Sequence, residues 1–133
     1  MKEPKWLKHS VVSYLHSLLL AEHGGSSGTR DEALLLSALE RGKNKFSYNP
    51  HCNLHDIAAA YTFGIAQNHP FIDGNKRTAF VCGALFLELN GLLVTASEAD
   101  TVIVMESVAA GGLNESQLAE WFHLNSVDAS IDL

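Results

Sequence analysis

Apolar residues recur three and four positions apart along nearly the whole chain, which predicts helices almost throughout. Leu7, Val11, Tyr14, Leu15, Leu18 and Leu19 form the first stripe, and Gly24-Gly25 stops it. A second helix starts near Asp31, carries Leu34, Leu35, Leu36, Ala38 and Leu39, and ends at Gly42. From Lys43 to Asn53 the polar and turn-forming residues Asn44, Ser47, Asn49, Pro50 and Asn53 predict a loop. Phe46 and Tyr48 alternate with polar residues there, as in a short extended flap. A third helix spans about 54 to 68 and buries Leu54, Ile57, Ala58, Tyr61 and Ile65.

The next helix, about 75 to 90, is apolar on almost every side from Ala79 to Leu89, with Glu88 the exception. Such a helix belongs in the centre of a bundle, and Gly83 and Ala84 let its neighbours come close. Asn90-Gly91 ends it. Ser97 with Asp100, and Asn114 with Gln117, have the spacing of capping boxes. They open two further helices, one with Val102, Ile103, Met105, Glu106 and Val108, the other with Leu118, Ala119, Trp121 and Phe122. The tail from Asn125 has no period. The expected layout is one all-α domain over residues 1–125 and a frayed tail over 126–133.

Composition supports one packed domain. The chain has 133 residues and is 47% hydrophobic, enough for a core and too apolar for disorder. Its formal net charge of −6 argues against nucleic acid as a partner, because non-specific binding runs on clustered positive charge. A protein partner or a small anion in a locally basic pocket fits better. No apolar stretch reaches the roughly 18 residues of a membrane span. The first eight residues have no signal-peptide pattern. Cys52 and Cys82 make no disulfide framework, and Cys82 reads as a small core residue. A cytoplasmic protein with reduced thiols is expected.

The chemistry concentrates in His69-Pro70-Phe71-Ile72-Asp73-Gly74-Asn75-Lys76-Arg77, a loop running straight into the apolar helix. Backbone N–H groups left free at a helix start, beside Gly74, Asn75, Lys76 and Arg77, form an anion site, and phosphate is the usual anion. Asp73 is the one carboxylate beside it and could hold Mg²⁺ against the same phosphates. His69 is the available base. Phosphoryl chemistry needs a base, a metal ligand, a backbone cradle and a cation together, and these nine residues supply all four. His51-Cys52-x-x-His55 could suggest zinc, but it lacks a fourth ligand nearby.

The loop resembles the signature of the Fic/Doc family, His-Pro-Phe-x-Asp/Glu-Gly-Asn-Gly-Arg-x-x-Arg, with Lys76 in place of the second glycine and Phe80 in place of the final arginine. The resemblance covers most of residues 10 to 123. His23-Gly24-Gly25, Arg30-Asp31, Asp56-Ile57-Ala58-Ala59-Ala60-Tyr61 and Leu89-Asn90-Gly91 are similar to the Doc (death-on-curing) branch. It implies a Fido-type helical bundle with the buried helix after the motif loop, and a flap near Lys43–Tyr48 that docks the target. It also implies a protein kinase using ATP and Mg²⁺ that transfers the γ-phosphoryl to a threonine of a host translation protein, elongation factor Tu or one like it.

By position, the resemblance implies His69 as general base and Asp73 as metal ligand. Gly74 and Asn75 would shape the cradle, and Lys76 and Arg77 would act on the transferring phosphates. The Ser/Thr-x-x-x-Glu-Gly/Asn inhibitory pattern of many Fic enzymes is not found in the sequence, which implies a toxin blocked by a separate cognate antitoxin. Two alternatives stand beside this reading: a Fic-type adenylyltransferase, disfavoured by Lys76 and Phe80, and a non-catalytic Fido binding module, disfavoured by the intact His69, Asp73, Asn75 and Arg77.

Overall fold

The computed structural model describes residues 1–129. Within them lie six helices: α1 (His9–His23), α2 (Glu32–Tyr48), α3 (Leu54–Asn68), α4 (Asn75–Leu89), α5 (Glu98–Ala109) and α6 (Glu115–Leu124). A two-stranded antiparallel sheet joins β1 (Leu92–Val94) to β2 (Ser126–Asp128), with Leu93 opposite Val127. The helical reading of the sequence holds, with this small sheet added.

The helix starts follow from local chemistry. Asp31 caps α2 by accepting from the Leu34 N–H, and Asn53 with Asp56 forms a reciprocal box at α3. Asn114 with Gln117 does the same at α6. Ser97 accepts from the Asp100 N–H at α5, as its spacing predicts.

α3 is the most enclosed helix. Ile57, Ala58, Ala59, Ala60, Tyr61, Thr62, Gly64, Ile65 and Ala66 are all buried between α2, α4 and α6. α4 packs along it, burying Thr78, Ala79, Cys82, Gly83, Phe86 and Leu87, while Phe80 and Val81 are only half-buried. Burial pushes the Cys82 thiol up to about 12, so it behaves as an inert core residue.

The α3–α4 approach depends on Gly83. A Cβ there would overlap the Thr62 hydroxyl and lie 2.9 Å from Phe122 Cζ and 3.1 Å from the Ala58 carbonyl oxygen. Thr62 is itself committed, donating to the Ala79 carbonyl at 2.7 Å. Gly83→Ala should therefore destabilise the fold by about 3 kcal/mol and lower Tm by roughly 10 °C. Calorimetry showing an unchanged Tm would refute contact this close.

Three expectations are corrected. Gly42 does not end α2, and Lys43–Tyr48 is helix rather than an extended flap. The glycine is there for space, because a Cβ would come within 2.6 Å of the Tyr61 ring. α2 stops instead just before Pro50, which cannot continue a helix. Second, the buried face of α1 is rotated from the expected one, and that of α5 is narrower than expected. Val12 and His16 are buried while Val11, Tyr14 and Leu18 are exposed; on α5 Met105 and Val108 are buried as expected, with Val104 beside them, while Val102 and Ile103 are exposed. Third, the tail does not fray at once after Asn125. Ser126–Asp128 pair with β1, and the Ser126 hydroxyl sits 2.9 Å from His55 Nε2. Residues 130–133 of the expected frayed tail lie outside the described residues.

Candidate functional site

The motif loop joins α3 to α4, and its shape is set by the two helix ends. His69 closes α3 in the left-handed region (φ 49, ψ 55), the only non-glycine with positive φ among the described residues. That conformation costs a non-glycine residue about 1 kcal/mol or more. Arg30 offsets it: Nε donates to the His69 carbonyl at 2.8 Å and Nη2 to the Asn68 carbonyl at 2.9 Å. A guanidinium on the last carbonyls of a helix also meets the negative end of its dipole.

The segment 28–31 runs alongside the loop. The Pro70 carbonyl accepts from the N–H groups of Arg30 and Asp31, at 2.7 and 3.0 Å, and the Ile72 N–H donates to the Gly28 carbonyl at 3.1 Å. Asn75 then folds the loop back on itself. Its Oδ1 accepts from the Phe71 N–H and its Nδ2 donates to the Phe71 carbonyl, both at 2.9 Å. The Phe71 ring is buried and stacks on His16 with centroids 3.8 Å apart. His16 Nε2 donates to the Asp73 carbonyl at 2.8 Å. Apolar anchor, side-chain clasp and backbone edge together hold the loop in this conformation.

On that frame His69 and Asp73 are both exposed. Asn75 Nδ2 approaches His69 Nδ1 at 3.4 Å, long for a hydrogen bond; an amide donor there favours the tautomer with its lone pair on Nδ1 and its hydrogen on Nε2, without fixing it. A base acting through Nε2 uses the opposite form, with the hydrogen on Nδ1, and must give up that weak contact. The Asp73 carboxylate accepts from the Gly74 N–H at 2.8 Å and the Ser26 N–H at 3.2 Å. Gly25 permits that approach, since a Cβ there would sit 2.9 Å from Asp73 Oδ2.

Gly74 caps α4 in the left-handed region (φ 77) with no side-chain cap. The first N–H groups of α4 have no intrahelical partner, and the helix dipole makes them an anion cradle. The cradle opens on a cleft of about 730 Å³ between the motif loop, α4 and α5. His69, Asp73, Gly74, Asn75, Lys76 and Arg77 all line it, so the structure brings the sequence-predicted residues together. Asn75 is buried and spends its amide on the loop, so its side chain shapes the cradle instead of facing an anion. Phe80, also lining the cleft, packs against Trp121 and Phe122 and brings no charge to it.

The expected locally basic pocket needs correcting. Lys76 and Arg77 face three carboxylates around the same cleft, Asp73, Glu98 and Glu106, and Lys76 Nζ is paired with Glu106 Oε1 at 2.8 Å. Asp73 fits a divalent cation of the kind that uses one protein carboxylate plus substrate phosphates, since each of its oxygens has a lone pair beyond the N–H it accepts. Among the described residues no group of three or more His, Cys, Asp or Glu is placed to hold a metal by itself, and His51, Cys52 and His55 do not converge on one.

Sequence reasoning missed three contributors. His16 carried one signal, a polar residue four positions after Val12 on the buried stripe of α1. Arg30 appeared only in the family resemblance, and Glu106 only as part of an apolar helix.

Known proteins resemble this chain over most of its length. A family model described as "Fic/DOC family" matches residues 6–87. A protein named "Protein kinase doc" from Escherichia phage P1 is 31% identical over 108 residues, 80% of this chain and 83% of that protein. One named "Toxin Doc" from Mycolicibacterium smegmatis is 38% identical over 74 residues, 55% of this chain and 57% of its own length.

Proposed function

Since this chain belongs to the Fic/DOC family, we propose that it is a Doc-like toxin, a protein kinase that moves the γ-phosphoryl of ATP to a hydroxyl of a host translation protein. The observation that carries this reading is the loop itself: an exposed histidine fixed beside an uncapped helix start that has a lysine and an arginine in its first turn. The relative named as a protein kinase supports phosphoryl transfer, and the one named as a toxin supports the biological role.

In this mechanism His69 takes the proton of the target hydroxyl as its oxygen attacks the γ-phosphorus. The bond from that phosphorus to the β–γ bridging oxygen breaks, ADP leaves, and the proton passes from His69 to solvent. The free N–H groups of α4 and the side chains of Lys76 and Arg77 stabilise charge on the equatorial and leaving oxygens. Asp73 would hold Mg²⁺, which supplies charge neutralisation on the phosphates. Pro70, Phe71, Asn75, Arg30 and His16 act by position. The target is a hydroxyl side chain of a protein such as elongation factor Tu, and the regulator is a separate antitoxin protein covering the cleft.

Adenylyl transfer is the second reading. The same base would serve it, with attack at the α-phosphorus and pyrophosphate as leaving group. Lys76 in place of a glycine crowds that pose, and Phe80, packed among aromatic rings, offers no cation to it. Intact mass of the target after incubation with ATP, Mg²⁺ and a bacterial lysate separates the two. A gain of about 80 Da is expected and about 329 Da would overturn the kinase reading, since the mass follows from which phosphorus is attacked. Adding the product of the neighbouring gene to the same reaction should suppress the modification and co-purify with the chain. Neither suppression nor a complex would remove that gene product as the antitoxin.

A further inference from the structure

The cleft is unusual for a site that takes a polyanion, because its two cations, Lys76 and Arg77, are outnumbered by the carboxylates of Asp73, Glu98 and Glu106. One of these carboxylates is engaged with the cradle itself. Lys76 is the second residue of α4, where the dipole disfavours a cation, and its ammonium is paired with Glu106 at 2.8 Å. Glu106 reaches it from α5, on the helix segment anchored by the buried neighbours Met105 and Val108. Phosphate oxygens and the Glu106 carboxylate therefore compete for one ammonium.

We propose that Glu106 is the resident counter-ion of Lys76, a carboxylate that occupies the cradle's lysine until a phosphate displaces it. It thereby weakens the cleft for bare polyphosphates relative to the magnesium complex of a nucleotide. This rests on the nucleotide reading given above and adds a residue outside the motif to it. The physics is a competition of charges. A free polyphosphate is repelled by Glu106 and must break its bond to Lys76. A magnesium-bound nucleotide carries less negative charge, so the same carboxylate costs it less. Both side chains are partly exposed, 44% for Lys76 and 62% for Glu106, so the pair is screened and the effect is moderate.

The test is calorimetric titration of the intact chain with two ligands, ATP with Mg²⁺ and inorganic tripolyphosphate without metal. Glu106→Gln should tighten tripolyphosphate by roughly 1.5-fold to fivefold and ATP with Mg²⁺ by less, the size expected from freeing an exposed ion pair. Glu98→Gln, which removes an equal charge from the same cleft without a bond to Lys76, should give a smaller gain. In a Lys76→Met background the Glu106→Gln gain should fall to that of Glu98→Gln, because the competition has lost its object. Equal affinities of the native chain and Glu106→Gln for both ligands would overturn the proposal and leave the nucleotide reading intact. Tighter tripolyphosphate binding with no ATP binding by either protein would uphold the counter-ion and overturn the nucleotide. An equal gain from Glu98→Gln would reduce Glu106 to one charge among others and sink the specific role.

Discussion

His69→Ala should cut target modification by about 10²- to 10⁴-fold, the usual contribution of a positioned general base, and should abolish growth arrest when the chain is expressed. The expectation follows from how the histidine is held. Its backbone is fixed by Arg30 through two carbonyls, and its ring projects exposed at the mouth of the cleft. The bonds that shape the loop come from Asn75, His16, Arg30 and the segment 28–31, and apart from the long 3.4 Å approach of Asn75 none involves the imidazole. The variant should therefore fold. Alanine tolerates the left-handed region somewhat less well than histidine, so a loss of stability under about 1 kcal/mol is expected. Circular dichroism through a thermal melt establishes folding, and growth after induction with single-turnover transfer gives the activity. A folded His69→Ala chain that arrests growth as fast as the native one would end the assignment of the base.

Asp73→Ala should remove activity together with its divalent-metal dependence, a loss of about 10²-fold or more if the ion supplies several kcal/mol of charge stabilisation. The structure adds a complication and its remedy. The same carboxylate ties the Gly74 and Ser26 N–H groups, so the alanine variant also loosens the 25–31 segment from the motif. Asp73→Asn keeps one acceptor oxygen, enough for one of the two N–H groups, and nearly the same shape, while losing the charge. Both variants should be inactive, and Asp73→Ala, which loses both ties, should lose more stability than Asp73→Asn, which loses one. Full transfer by Asp73→Asn at the same Mg²⁺ concentration would exclude Asp73 as the ligand.

Much of the architecture was legible without coordinates because its signals are local. α3 and α4 begin and end within a residue of the positions that caps, periodicity and Asn90-Gly91 predict. The Ser97 cap starts α5 and the Asn114 box starts α6 at the positions read, although Asp100 does not reach back to complete a box at Ser97. What failed was what depends on a neighbour. Gly42 has the composition of a stop, and only the Tyr61 ring across from it explains why the helix runs on to Tyr48. Val11 and Val12 are equally apolar, and which faces inward depends on what α1 packs against. Ser126–Asp128 have no period of their own and become a strand because β1 offers an edge.

The candidate site divides the same way. The sequence by itself determined which groups are available: a histidine, a carboxylate, a glycine and two cations fall within nine residues, and a helix start places free N–H groups beside them. Chain proximity guarantees that much, because residues so close cannot be far apart in space. The tertiary structure decided how those groups are aimed and what charge they meet. Arg30 is thirty-nine positions from His69, His16 fifty-seven from Asp73, and Glu106 thirty from Lys76. No local pattern encodes such contacts; they exist only once α1, the 28–31 edge and α5 have packed around the loop. The cradle was therefore readable in the chain, and the carboxylate that shares its lysine was not.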